Sequence, residues 1–287
     1  MTCELAIGDR THSSWSLRGW LPFAVWNIPV RVHTARLYTG EVQKLLENFA
    51  PSRLVPALKK DGIVVYDTLA IAETLAETYP HKPLWPTDPL LRAKARSMAA
   101  EMHSAYGALR AACPMNLAHS WAGFVPSEDV LEDCARIEFL WADALDASGG
   151  PWLCGEYSLA DVFLAPVAMR FATYGLPRTD QSQTYIDRHL AEGNFRRWRA
   201  MGRAENHHQP FYDFDLAKSP WPGPAPLAAA PVDAELSIND VCPYSGRPVT
   251  DFLELDGRVY GFCNRFCRDR TVADPQAWPA FMALIAP

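Results

Sequence analysis

The chain has 287 residues, 49% hydrophobic and 21% charged, with 33 acidic against 27 basic side chains and a formal net charge of −6. That length supports two or three domains with sizeable cores, and the acidic balance argues against a nucleic-acid partner. No stretch reaches the apolar length of a membrane span, and the N-terminus lacks a basic region followed by an apolar core. A soluble cytoplasmic protein without a membrane partner is therefore expected. Seven widely scattered cysteines, clustered only near the end, suggest buried thiols plus a metal or redox site, not a disulfide framework.

In chain order, Cys3 to Gly8 reads as a strand and Ser14 to Trp26 as a helix, with Leu17, Trp20, Leu21, Ala24 and Val25 at helical spacing. Between them lies Ser13-Ser14-Trp15-Ser16-Leu17-Arg18, three hydroxyls at a strand-to-helix junction. The free N–H groups and positive dipole end there favour an anion, and a serine hydroxyl could hold a thiolate. The plain alternative is that one serine caps the helix. Val30 to Leu37 reads as a second strand and Glu41 to Phe49 as a short helix. Pro56 to Tyr66 reads as a hairpin about Asp61-Gly62, and Leu69 to Tyr79 as a helix. The order βαβαββα predicts a small α/β unit with an antiparallel sheet edge.

Pro83, Pro86 and Pro89 mark a boundary, after which the chain reads as helical. Leu90 to Cys113 forms one expected helix, with His103, Tyr106 and Arg110 on one face; that face either meets an acidic or polar electrophile or is simply a partly solvated surface. Ser127 to Leu145 follows, and Ser158-Leu159-Ala160-Asp161 opens the next helix in a capping-box arrangement. Residues 216–235 read as an extended Pro/Ala-rich linker.

Ser-Ser-x-Ser-x-Arg after the first strand, Val55-Pro56-Ala57-Leu58 before the Asp-Gly hairpin, and Asp67-Thr68-Leu69-Ala70-Ile71 opening a helix resemble the N-terminal domain of glutathione transferases, serine-type classes such as zeta in particular. Trp152 to Asp161 resembles the C-terminal signature of the same family, where its role is folding, so Asp161 takes no catalytic part. The resemblance implies a thioredoxin-like α/β domain over 1–82 and an all-helical domain over 88–215. It also implies a cis Val55–Pro56 bond whose Val55 backbone pairs with glutathione. Asp67 and Thr68 would hold the γ-glutamyl end, and Ser13, or Ser14 if the alignment slips one place, would stabilise the thiolate. The implied protein is a dimeric glutathione transferase acting on a small-molecule electrophile or catalysing a glutathione-dependent isomerisation. A non-catalytic binding or metal-responsive protein on the same scaffold is the alternative.

Residues 236–287 hold Cys242, Cys263 and Cys267, with twenty and then three residues between them. The spacing resembles the TRASH/YHS type of treble-clef-like metal module, which implies zinc or copper. Cys263 and Cys267 are expected one turn apart at a helix start, with Asp240, water or another chain as fourth ligand, or with no metal at all.

Overall fold

The computed structural model describes residues 3–286. These residues fall into two compact units: residues up to 189 with 209–222, and residues 190–208 with 223 onward.

The first unit begins with β1 (Cys3–Ile7), α1 (Ser14–Val25), β2 (Val30–Thr34), α2 (Glu41–Leu46), β3 (Ala57–Lys60), β4 (Ile63–Tyr66) and α3 (Thr68–Thr78). The sheet order is β2-β1-β3-β4; β1 runs parallel to β2 and antiparallel to β3, and β3–β4 is the antiparallel hairpin. Asp61 and Gly62 both carry positive φ, 52° and 82°, as a tight turn matched to strand twist requires. The sheet is a thioredoxin-like layer, with Leu5, Ile7, Ala57 and Leu58 fully buried. The Val55–Pro56 bond is cis. A Cβ on Gly19 would sit 2.7 Å from the Pro56 ring, so the glycine lets α1 lie directly on that proline.

Next come α4 (Pro89–Ser104), α5 (Gly107–Ala112), β5 (Ser120–Ala122), α6 (Glu128–Ser148), α7 (Leu159–Tyr174) and α8 (Asp180–Ala191). The single helix expected over Leu90 to Cys113 is in fact two. Tyr106 adopts φ 60°, and its hydroxyl donates back to Glu101 at 2.9 Å, so the path turns before Gly107. His103 and Arg110 therefore lie on different helices. Among the described residues, no helix is long and apolar enough to cross a membrane.

The capping box at α7 forms as the residues predict, with Ser158 and Asp161 satisfying each other's ends of the turn. Asp161 also accepts from Leu153 N–H and the Tyr185 hydroxyl, each at 3.1 Å. Burial dominates nonetheless and pushes its carboxyl up to about 6, despite these hydrogen bonds pulling it down. The folded state thus holds this proton more tightly than the unfolded chain, so its contribution to stability grows as pH falls through that value and is lost as pH rises. Relative to Asp161→Asn, wild-type unfolding free energy is expected to increase by about 2 kcal/mol between pH 7 and pH 4.5, read by denaturant titration; a parallel pH response in the two proteins would contradict this.

The second unit contains α9 (Gly193–Glu205), which the sequence reading groups with the helical domain. The same unit holds β7 (Ala229–Val232), β8 (Asp251–Leu255), β9 (Arg258–Phe262), α10 (Arg265–Ala273) and α11 (Pro279–Ile285), while the first unit holds β6 (Ala217–Ser219). The strand order is β7-β8-β9, all antiparallel. Arg196 on α9 grips Asp274 after α10 with two hydrogen bonds of 2.7 and 2.8 Å, which ties these segments into one body. The stretch expected to be wholly extended linker thus carries β6, paired with β5, and β7, paired with β8. Pro231 is accommodated because β7 is an edge strand. Leu253, Phe262 and Phe281 are fully buried in the core of this unit.

Candidate active site

The β1–α1 junction is built by its serines. Ser13 is the N-cap of α1: its Oγ accepts from Ser16 N–H at 3.2 Å and donates to Ser16 Oγ at 2.7 Å. Ser16, fully buried, accepts from Gly8 N–H at 2.9 Å. The Ser13 proton is therefore directed into the junction, satisfying both the capping role and the loop behind it. Ser14, the first helical residue, is oriented differently. Its oxygen accepts from Arg170 Nη2 at 3.5 Å, and it borders a cavity of about 880 Å³. With a lone pair facing a guanidinium, the Ser14 hydroxyl retains its proton for another acceptor.

Arg170 projects from α7, where it also donates to Cys113 O at 2.8 Å and Pro166 O at 3.1 Å. Arg18 donates to Phe163 O at 2.8 Å, and its guanidinium lies 4.8 Å from the centre of the Trp15 ring. Arg110 lies 5.0 Å from the same ring. Among the described residues no carboxylate pairs with any of the three, and the Arg18 Nη2 has no hydrogen-bond partner. Burial, with further repulsion from Arg170 and Arg110, pulls Arg18 well below the usual arginine range. Burial and then Arg110 bring Arg170 down to about 10. Positive charge accumulates behind Ser14, and no carboxylate is paired with these three guanidiniums among the described residues, an arrangement that favours an incoming anion.

A second cavity, about 620 Å³, is bounded by Val55, Pro56, Asp67, Thr68 and His103. Both cavities share Trp15, Arg53, Leu54, Val55 and Arg110, so they adjoin along the Val55 segment. Asp67 caps α3, its Oδ1 accepting from Leu69 N–H at 2.8 Å, while Oδ2 lies 2.6 Å from His103 Nε2. The Thr68 hydroxyl is buried with no partner among the described residues.

The residues singled out in the sequence are thus brought to two joined cavities: Ser13 and Ser14 in the larger, Pro56, Asp67 and Thr68 in the smaller, Val55 between them. Tyr106, expected beside them, is turned away onto Glu101. Sequence reasoning missed Arg170. Its only signal was a lone arginine within an otherwise apolar helix segment, Val162 to Phe171.

In the second unit, the sulfurs of Cys242, Cys263 and Cys267 lie within 4.8 Å of one another, and among the described residues no fourth histidine, cysteine or carboxylate joins them. Asp240 is not in the group. Cys263 precedes α10 rather than lying on it: Asn264 is the cap, accepting from Cys267 N–H at 2.8 Å. Burial tends to raise the Cys242 thiol, but N–H donors at Cys263, Tyr244 and Ser245 and the Ser245 hydroxyl outweigh it and bring it down to about 7. Burial pushes Cys267 up to about 11. Cys113, Cys134 and Cys154 are buried free thiols pushed up to about 12 by the same cause, as inert core thiols are.

The sheet, the helical layer and the paired cavities define a glutathione-transferase fold. A glutathione transferase homologue from Burkholderia, solved with bound glutathione, shares the fold at TM-score 0.56 and 21% identity, covering 71% of this chain and 99% of that one. Residues 12–78 match the family model described as glutathione S-transferase, N-terminal domain. The mouse protein named maleylacetoacetate isomerase is 32% identical over 165 residues, spanning 55% of this chain and 72% of its own length. The Caenorhabditis elegans protein named probable maleylacetoacetate isomerase is 29% identical over 163 residues, 55% of this chain and 73% of that protein. The chain belongs to the glutathione S-transferase family.

Proposed function

We propose that the protein is a glutathione-dependent enzyme that uses the tripeptide's thiolate on a small electrophile bearing an acidic group, either in addition or in cis–trans isomerisation. Glutathione lies across Val55, Pro56, Asp67 and Thr68, and its sulfur meets the hydroxyl of Ser14. The observation that carries the reading is the pair Ser14–Arg170: a hydroxyl whose oxygen faces a buried cation and whose proton is free for the sulfur. A thiol with an ordinary value near 8.5 must lose its proton to be a useful nucleophile at neutral pH, and a donated hydrogen bond together with three nearby guanidiniums favours the charged form. The activity for which these relatives are named, isomerisation, fits this chemistry. The thiolate adds to a conjugated carbon–carbon double bond, the former double bond rotates as a single bond, and elimination restores the alkene and the thiolate. Arg110 and Arg170 line the larger cavity, which no Asp or Glu borders, and this supports an anionic co-substrate.

The test is retention on immobilised glutathione together with glutathione-dependent turnover of an unsaturated dicarboxylic acid or a generic aryl halide. Retention with turnover is the expected result. Retention without turnover would favour the non-catalytic alternative, and no retention would remove the glutathione reading. We further read the chain as a cytoplasmic homodimer, the expectation carried over from its class.

A second reading concerns the other unit: Cys242, Cys263 and Cys267 hold one zinc or copper ion. It is supported by three soft sulfur donors converging within 4.8 Å, one short of a closed tetrahedral site and sufficient for a trigonal one. This unit buries an apolar core of its own, so the reading is supported by the sulfur geometry and not by a need for a staple.

A further inference from the structure

The hydrogen bond between Ser14 and Arg170 joins two helices, α1 and α7, and at 3.5 Å it lies at the outer limit of reach. A hydroxyl rotates to suit its neighbours, so a small separation of the helices at this end would leave Ser14 Oγ free to aim its proton elsewhere. Further along, Arg18 already ties the two helices together through Phe163 O at 2.8 Å. At the Ser14 end the tie comes from Gln209–Pro222, a segment that follows the helical layer and returns to the first unit.

One end of the segment is fastened beside the β1–α1 junction. Gln209 is buried, and its amide donates to Asp9 Oδ2 at 2.7 Å and to Leu37 O at 3.0 Å. Asp9 is fully buried; the same carboxylate oxygen accepts from Leu37 N–H at 3.2 Å, and its carbonyl accepts from Ser13 N–H at 2.9 Å. Gln209 thus reaches the backbone of the serine run through a single intervening residue. Tyr212 adds a second fastening: its ring lies 4.6 Å from the His12 ring, and its hydroxyl is 3.3 Å from that of Tyr38. The other end is fastened to the helical layer. Phe214 packs edge-on to Tyr174, one turn beyond Arg170 on α7, and to Trp121 of β5, while β6 pairs with β5.

We propose that Gln209 and Tyr212 are positioning residues: the segment they anchor clamps α1 against α7 and so holds Ser14 Oγ on Arg170. A covering role alone does not call for this arrangement, since burying the Asp9 carboxylate costs free energy that donors such as the Gln209 amide recover. Both side chains act through Ser14 and neither touches the sulfur. The inference rests on the glutathione reading and adds to it what keeps the hydroxyl aimed. Tyr212 also borders the larger cavity, so its effect on Ser14 is best read with glutathione alone.

The experiment is ultraviolet titration of the glutathione thiolate on the full chain, without co-substrate. Wild type, Gln209→Leu, Gln209→Asn and Tyr212→Leu are compared, each with Ser14 intact and with Ser14→Ala, after their thermal midpoints are checked. With Ser14 intact, Gln209→Leu and Tyr212→Leu are expected to raise the midpoint of thiolate formation by about one pH unit, roughly a tenfold loss of thiolate below that midpoint. Gln209→Asn, whose amide is one methylene short, should fall between. Combined with Ser14→Ala, none of the three should move the midpoint further, because the group they position is gone. An unmoved midpoint in the folded variants with Ser14 intact would overturn the inference. So would an equal added shift in the Ser14→Ala proteins, the mark of a general structural role. A wild type that binds no glutathione removes the glutathione reading and this one with it.

Discussion

Replacing Ser14 by alanine is expected to lower kcat/KM for glutathione-dependent turnover by about 100-fold, the usual scale for removing one donor aimed at developing or resident negative charge. The loss should lie in kcat, with glutathione affinity changed little, because Val55, Pro56, Asp67 and Thr68 all remain. The pH profile should move as well. Without the hydroxyl, the bound thiol titrates at higher pH, so activity that is flat near neutrality in wild type should rise with pH in the variant. Ser13→Ala has a different signature. Its oxygen is committed to Ser16 N–H and Ser16 Oγ, so the expected outcome is about 1 kcal/mol of lost stability from the missing cap, with the thiol titration unmoved. Opposite behaviour of the two variants would assign the thiolate to Ser13.

Cys242→Ser is expected to abolish stoichiometric zinc or copper in the purified protein, measured by plasma emission spectrometry after exhaustive dialysis, while wild type carries one ion per chain. With two sulfurs remaining, the site drops below the three-ligand minimum for a retained soft metal. The thiols of Cys113, Cys134 and Cys154 serve as internal controls, since among the described residues none belongs to a group of three converging metal ligands; a Cys134→Ser protein should keep its metal. Wild-type protein that contains no metal, and does not gain any on reconstitution under reducing conditions, would leave the three cysteines as a metal-free cluster.

Much of the architecture was written in local signals. The Asp61-Gly62 turn, the serine cap of α1, the Ser158–Asp161 box and the proline before Ala57 each dictate backbone geometry with little help from the rest of the chain, and each element formed where its residues indicate. What was illegible depended on partners distant in sequence. The small residues of Leu90 to Cys113 carry a helical period straight through Tyr106, and the Glu101 carboxylate that receives the Tyr106 hydroxyl is held by Arg136, 35 residues further on. Ala229–Val232 reads as extended polyproline until its hydrogen-bonding partner, β8, is supplied. The orientation of the two serines could not be read either, because what distinguishes them is Ser16 on one side and Arg170, more than 150 residues away, on the other. A buried arginine in an apolar helix looks like an error of patterning from the sequence alone; in three dimensions it is the neighbour that fixes a hydroxyl.

The arginines also explain why the site tolerates so much unbalanced charge. Arg18 and Arg110 both approach Trp15, whose ring offers each guanidinium an electron-rich surface in place of a carboxylate. On the proposed reading, Trp15 would stand in place of a counter-ion that competes with the thiolate, a physical reason for a large aromatic at a position flanked by serines.

The central claim is that Ser14 donates to the sulfur of bound glutathione. A crystal structure of the complex measures it most directly. The account predicts the sulfur within hydrogen-bonding distance of Ser14 Oγ, with Arg170 still on that oxygen; a sulfur lying nearer Ser13, or beyond reach of either hydroxyl, would contradict it.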